Sequence, residues 1–143
     1  MPSFSRTVTV NRPLDESFAY LSDFTNTNEW DAGTVRTTRV SGDGGVGTTY
    51  RNVSKLLGRE VEIIYVVERI VPGQLFALRG ENSSTVAHDT LTFREVPDGT
   101  EVTYAATFDF KGPWKLVAPL TIPVFNKLFD DGAKGIREAL DRP

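Results

Sequence analysis

The chain begins with a strict alternation. In Ser3 to Asn11, Phe4, Val8 and Val10 share one face, while Ser5, Thr7 and Thr9 share the other. That is the pattern of a half-buried strand, with Arg6 as the one polar residue on its apolar face. The period then changes. Leu14, Phe18 and Leu21 are spaced four and three apart, Pro13 suits a first helical turn, and Asp15 and Glu16 complement the positive end of a helix dipole. A short helix is predicted there. From Thr34 to Phe110 the text is strand-like and is broken by the turn sequences SGDGGVG, LLGR, VPGQ, GENSS and PDGT, which predicts a meander of six further strands. On either side of the last turn, Leu91 and Phe93, then Val102, Tyr104, Ala106, Phe108 and Phe110, fall on one face. Thr92, Glu101, Thr103, Thr107 and Asp109 fall on the solvent face.

After Gly112 the helical period returns. Val117, Thr121, Val124 or Phe125, Leu128, Gly132, Ile136 and Leu140 form one stripe, and Pro119 and Pro123 place the start of regular helix near Pro123 after an irregular lead-in. Gly132 and Gly135 cost helix propensity but allow close approach to another backbone. The elements add up to an α+β domain spanning 1–143, a curved antiparallel sheet wrapped around a long C-terminal helix. A curved sheet and a straight helix meet along only part of their length, so a cavity between them is the default site for an apolar ligand.

Composition narrows the chemistry. There is no cysteine, which removes disulfides, thiolate metal ligation and cysteine nucleophiles. A formal net charge of −3 with both signs scattered argues against nucleic acid as a partner. No apolar run reaches membrane-spanning length and the first residues lack the pattern of a secretion signal, so a cytoplasmic protein without integral membrane association is expected. The two sequons, at Asn52 and Asn82, then carry no meaning. With His88 the single histidine, a histidine-based metal cluster cannot form, and neither a metal nor another cofactor is expected. GDGGVG, Gly42 to Gly47, reads literally as a dinucleotide fingerprint, but the β-branched TTYRNVS that follows is strand-like, whereas a pyrophosphate loop must open a helix. It reads as a hairpin connection.

The fragments FAYLSDFTNTNEWDAG, GVGTTYR, YVVERIVPGQLFALRG and DTLTFREVPDGTEVTY, in this order and at these intervals, resemble the START-like (SRPBCC, Bet v 1-like) superfamily. The nearest flavour is its bacterial polyketide cyclase/dehydrase and lipid-transport group, and the resemblance covers nearly the whole chain. It implies a helix-grip fold: a seven-stranded antiparallel sheet around the C-terminal helix, with two short helices after the first strand. Relatives include lipid and hormone carriers, aromatic polyketide cyclases and co-chaperone-like modules, so a hydrophobic-ligand carrier, an enzyme and a protein-interaction module are all compatible with it. Where the family often follows its tryptophan with an acid-proline or histidine-proline pair, this chain has Asp31-Ala32, and no rigid turn is inferred there.

The resemblance also bears on Asp23 and Asp31, which flank Trp30. It implies that this segment returns the chain from the short helices to the sheet, with Trp30 wedged over the sheet; the alternative sets Trp30 at the cavity mouth. Alternation sends Asp89 inward and His88 outward unless a bulge intervenes. Asp89 is expected to be solvated near a strand end or paired with Arg51 or Arg79; desolvated, it would instead be an acid-base candidate together with Tyr104. The expected ligand-lining residues are Trp30, Tyr50, Tyr65, Phe76, Asp89, Leu91, Phe93, Tyr104, Phe108, Phe125 and Phe129. GPWKLVAPLTIPVF is expected to pack Trp114 and Leu116 over one end of the barrel, the alternative being an apolar portal touching membranes or partners. The expected ligand is a small hydrophobic or aromatic molecule, and the expected assembly is a monomer or homodimer.

Overall fold

The computed structural model describes residues 2–141. Strands β1 (Ser3–Val10), β2 (Thr34–Ser41), β3 (Thr49–Leu56), β4 (Arg59–Val71), β5 (Leu75–Glu81), β6 (Thr85–Val96) and β7 (Gly99–Phe110) form one antiparallel sheet in the order β1-β7-β6-β5-β4-β3-β2. Helices α1 (Leu14–Leu21) and α2 (Thr27–Trp30), joined through a 3-10 turn at Phe24–Asn26, follow β1, and α3 (Ala118–Leu140) closes the chain. This is the helix-grip architecture. The central strands take their places from their turns: β6 and β7 pair from Thr85↔Phe110 to Val96↔Gly99, with the Pro97-Asp98 turn between them. Register shifts occur only at β2–β3 and at β4–β5 between Val67 and Arg69, so the alternation read from β6 and β7 survives.

Arg6, the polar misfit on β1, has a use. Its Nε donates to Asp130 Oδ1 at 2.6 Å and its second guanidinium nitrogen donates to Asn126 Oδ1 at 3.1 Å, so its stem lies on the apolar face while its head ties β1 to α3.

Regular helix starts at Ala118, five residues before the expected Pro123. Pro119 sits in the first turn, where a missing N–H would have had no intrahelical partner. Pro123 removes one donor in the second turn, which the helix absorbs without breaking. The residues before it, Gly112–Val117, form a 3-10 segment instead of irregular chain. The buried stripe is Phe125, Phe129, Gly132, Ala133, Ile136 and Leu140, and α3 lies chiefly along β1 and against α2.

An aromatic seam joins helix to sheet. Phe125 stacks on Phe108 with centroids 4.4 Å apart, Phe129 stacks on Tyr104 at 4.6 Å, and Phe4 of β1 lies within 5.5 Å of both helix rings. Such pairs contribute about 0.5–1.5 kcal/mol each beyond their area burial.

The two helical glycines differ. A Cβ at Gly135 would lie 1.9 Å from the Trp30 carbonyl oxygen, whereas one at Gly132 would meet nothing nearer than Trp30 Cζ3 at 3.7 Å. Only Gly135 serves close backbone approach. Gly135→Ala is therefore expected to cost ~2 kcal/mol through forced separation of α3 from α2. Gly132→Ala is expected to be neutral or to stabilise by up to ~1 kcal/mol, because helix propensity improves. Urea unfolding of the two variants checks this, and equal destabilisation by both would contradict it.

Candidate functional site

Between the sheet and α3 lies a cavity of about 190 Å³. The seam holds the helix over β1 and β7, so the sheet's other half curls past the helix without filling the space beneath it. Phe125, Leu128 and Phe129 of α3 line the helix side, with Phe108 of β7 beside them; Val61, Ile63 and Tyr65 of β4 line the far wall; Phe24, Thr27 and Asp31 enter from the α2 region. Half-buried Asn82, Ser84, Phe110 and Thr121 also line it.

Two kinds of polar group face this space. One is a satisfied network. The Thr34 hydroxyl donates to Asp31 Oδ2 at 2.9 Å, Asn52 Nδ2 donates to Thr34 Oγ1 and to Thr37 Oγ1, and the Ser54 hydroxyl donates to Asn52 Oδ1 at 2.6 Å. The Thr27 and Thr37 hydroxyls are 2.6 Å apart at its buried end. Asp31, the residue after Trp30, thus ends α2 and presents a half-buried carboxylate to the cavity.

The other kind is unsatisfied. Asp89 on β6 is 5% exposed, and neither of its carboxyl oxygens has a hydrogen-bond partner among the described residues. Its neighbours across the sheet are Leu78 and Ala106, which offer no polar group. Arg51 faces the exposed side of β3, and Arg79 is paired with Glu81 at 2.9 Å on the outer face of β5. The expected solvated or arginine-paired Asp89 is therefore corrected, because the alternation that sends Asp89 inward sends both arginines out. Burial, and then the charge of Asp31, push the Asp89 carboxyl up to about 7. Tyr65 and Tyr104 also face the cavity, and neither hydroxyl has a partner among the described residues. Burial first, then the charges of Asp89 and Asp31, hold both phenols well above their ordinary value. Gly80, opposite Tyr65 in the register, makes room for that ring, since a Cβ there would sit 2.6 Å from Tyr65 Cε1.

Of the residues expected to line a ligand site, Tyr65, Asp89, Tyr104, Phe108, Phe125 and Phe129 meet at this cavity. Trp30, Tyr50, Phe76, Leu91 and Phe93 are buried elsewhere in the core. Trp30 sets its ring edge on Tyr104 at 5.4 Å, Tyr50 packs on Phe24, and Phe93 packs on Phe18. Trp30 is thus a wedge between helix and sheet. Asn52, Ser54 and Thr85 were not anticipated in the lining. The period-two signal was present, since Thr85 lies four residues before Asp89 and Asn52 lies two after Tyr50.

The remaining motifs fall away from the site. His88 is exposed, as alternation predicts. Asp23 caps the 3-10 turn by accepting from the Thr25 amide and hydroxyl. In the glycine loop, Gly47 N–H donates to the Val67 carbonyl and Gly44 N–H to the Thr48 hydroxyl, and β3 follows, so no helix N-terminus faces a phosphate there. Trp114 and Leu116 are 51% and 83% exposed, which overturns their expected packing over the barrel end. The 3-10 geometry of Gly112–Val117 turns them outward. Among the described residues no group of three or more acidic, histidine or cysteine side chains is placed to hold a metal, and no helix is long and apolar enough to cross a membrane.

With this geometry, comparison with known proteins becomes informative. The family described as polyketide cyclase / dehydrase and lipid transport matches residues 1–141. The chain belongs to that family. A search of curated proteins finds no match. Among solved structures, the Zhui aromatase/cyclase from Streptomyces sp. R1128 superposes with a TM-score of 0.85 at 12% identity, covering 99% of this chain and 94% of its own. A START superfamily protein from Mycobacterium smegmatis gives 0.80 at 14% identity, with 97% of each chain covered. A protein from Thermus thermophilus gives 0.83 at 16%, again over 97% of each. At these identities the likeness is one of fold.

The raised Asp89 carboxyl has a consequence for stability. Well below pH 4 it is protonated in the folded and unfolded chain alike, so it adds no pH-dependent cost. Between pH 4 and 7 the unfolded chain ionises while the folded chain holds its proton, and stability falls as pH rises, by up to ~4 kcal/mol. Asp89→Asn is expected to be increasingly stabilising relative to the parent as pH rises from 4 to 7, with a flat difference above. Chemical denaturation at a series of pH values reads this directly, and a pH-independent difference would contradict it.

Proposed function

We propose that this protein binds a small apolar or aromatic-bearing molecule in the cavity between sheet and α3, with Asp89, Tyr65 and Tyr104 meeting its polar end. The observation that carries the reading is the buried Asp89 carboxyl without a partner, set in a cavity walled by aromatic rings. A folded domain gains nothing from such a group, because an unsatisfied buried polar atom costs about 1–3 kcal/mol. A ligand that completes its hydrogen bonding recovers that cost. Family membership supports the reading in general terms. A single domain over 1–143 acting in the cytoplasm, as monomer or homodimer and without nucleic acid, is part of the same proposal, supported by the cysteine-free, weakly acidic composition.

The test uses a neutral environment-sensitive dye, N-phenyl-1-naphthylamine. Saturable fluorescence enhancement with one site per chain is expected. Val61→Phe, which extends a wall residue into the cavity, should weaken it about tenfold or more, since overpacking costs roughly 1–3 kcal/mol. Absence of saturable uptake by the folded parent would defeat the proposal.

A second reading rests on one specific observation. An acid poised about pH 7 is matched to proton transfer at that pH, and Asp89 with Tyr104 would then be the acid-base pair of a cyclase or dehydratase. A tyrosine hydroxyl can polarise a ligand carbonyl while the carboxylate takes a proton from the adjacent carbon. On that reading, Asp89→Asn lowers turnover of a poly-β-ketone substrate by about 10²-fold or more, and Tyr104→Phe lowers it by a smaller factor. Unchanged turnover in both variants would leave binding alone.

A further inference from the structure

The charge of the cavity wall limits what it can hold. Two carboxyl groups, Asp31 and Asp89, line it, and no lysine, arginine or histidine does. Of the cations next in sequence to lining residues, Lys111 is committed to Glu81, and Lys55, between Ser54 and Leu56, points to the exposed side of β3. An anionic ligand would add a negative charge beside Asp31, and beside Asp89 once that group ionises, with no lining cation to balance it.

The apolar part of the wall is unusually aromatic. Phe108, Phe129, Tyr65 and Tyr104 line the same space as Asp89. Phe129 stacks on Tyr104 and on Phe4, and Phe108 stacks on Phe125, so these rings supply an apolar wall for the body of a ligand. The charge preference is therefore set by the lining carboxyls, the buried and unpartnered Asp89 above all. The satisfied network around Asp31 adds nothing against this, since its donors are already used within the protein.

We propose that the cavity selects for positive charge: it takes a small aromatic or apolar primary amine, its ammonium against the Asp89 carboxylate and its body among the phenylalanine and tyrosine rings. The inference rests on the cavity being the ligand site, and it names the ligand class for that site. When Asp89 carries its proton, ammonium binding releases that proton to solvent, so charge balances as one carboxylate facing one ammonium. Fatty acids and aromatic acids are excluded by the same wall.

Three probes with one skeleton separate charge from shape: 2-(2-naphthyl)ethylamine, 2-(2-naphthyl)ethanol and 2-naphthylacetate, titrated calorimetrically into the full chain at pH 8. The amine is expected to bind about tenfold more tightly than the alcohol, and the acetate most weakly. Asp89→Asn should bring the amine down to the level of the alcohol while leaving the alcohol nearly unchanged; Asp89→Glu, which keeps the charge, should retain most of the amine's advantage. An alcohol or acetate that binds as tightly as the amine overturns the proposal, as does an amine preference that survives Asp89→Asn. If none of the three binds while N-phenyl-1-naphthylamine does, the charge selection fails and the ligand cavity stands. If that dye also fails to bind, the cavity reading itself has failed.

Discussion

The seam of rings between α3 and the β1–β7 edge is the contact on which the rest of the molecule depends. Phe4, Tyr104, Phe108, Phe125 and Phe129 lock the helix over one side of the sheet at ring separations of 4.4 to 6.5 Å. Closely packed aromatics resist small displacements, because a gap of an ångström forfeits much of their dispersion energy. With the helix fixed there, the β3–β4 side can reach it only by curling, and an antiparallel sheet has a limited curvature even with its bulges. The cavity is what remains between a rigid contact and a sheet that cannot close on it. Gly135 sharpens this arrangement at the other end by letting α3 touch the Trp30 backbone, so the helix is held at both ends of the gap.

Polar groups around the gap obey different economies. Asn52, Thr34, Thr37 and Ser54 satisfy one another, so they stabilise the β2–β3 end without needing any visitor. Asp89 does not. Nothing among the described residues donates to it, and burial favours its protonated form. A hydrophobic residue at this point of β6, between Leu78 and Ala106, would give a more stable protein. The carboxyl therefore subtracts from the fold.

Much of the architecture was legible because periodicity records facing. Alternation placed Leu91, Phe93, Val102, Ala106 and Phe108 inside and His88 outside, and the three-four spacing after Gly112 found the stripe of α3. Facing is not depth, however. Phe76, Leu91 and Phe93 share the inner face with Asp89 but pack in the closed part of the core, because a strand crosses both the filled and the open region of the sheet's inner surface. Nothing in a period of two says where along the strand one gives way to the other. Prolines misled for a local reason: Pro119 and Pro123 are helix breakers by propensity, yet one falls where no donor is needed and the other costs a single bond in a helix of 23 residues. Trp114 and Leu116 misled for the opposite reason, since an apolar side chain carries no instruction about whether a 3-10 turn will aim it at the core.

The pairing of Asp89 was hidden because charge pairing is a property of opposed faces, and alternation fixes those faces jointly. Once Asp89 is inward, Arg79 on the partner strand, registered opposite His88, must be outward, and Arg51 next to inward-facing Asn52 must be as well. The same parity that identifies the buried acid thus removes Arg51 and Arg79 as its partners. A carboxyl on the inner face of an antiparallel sheet can be neutralised only by another inward cation, by its own proton, or by a ligand. No lysine, arginine or histidine lines this cavity, which leaves its own proton as the only neutralising group for Asp89 among the described residues.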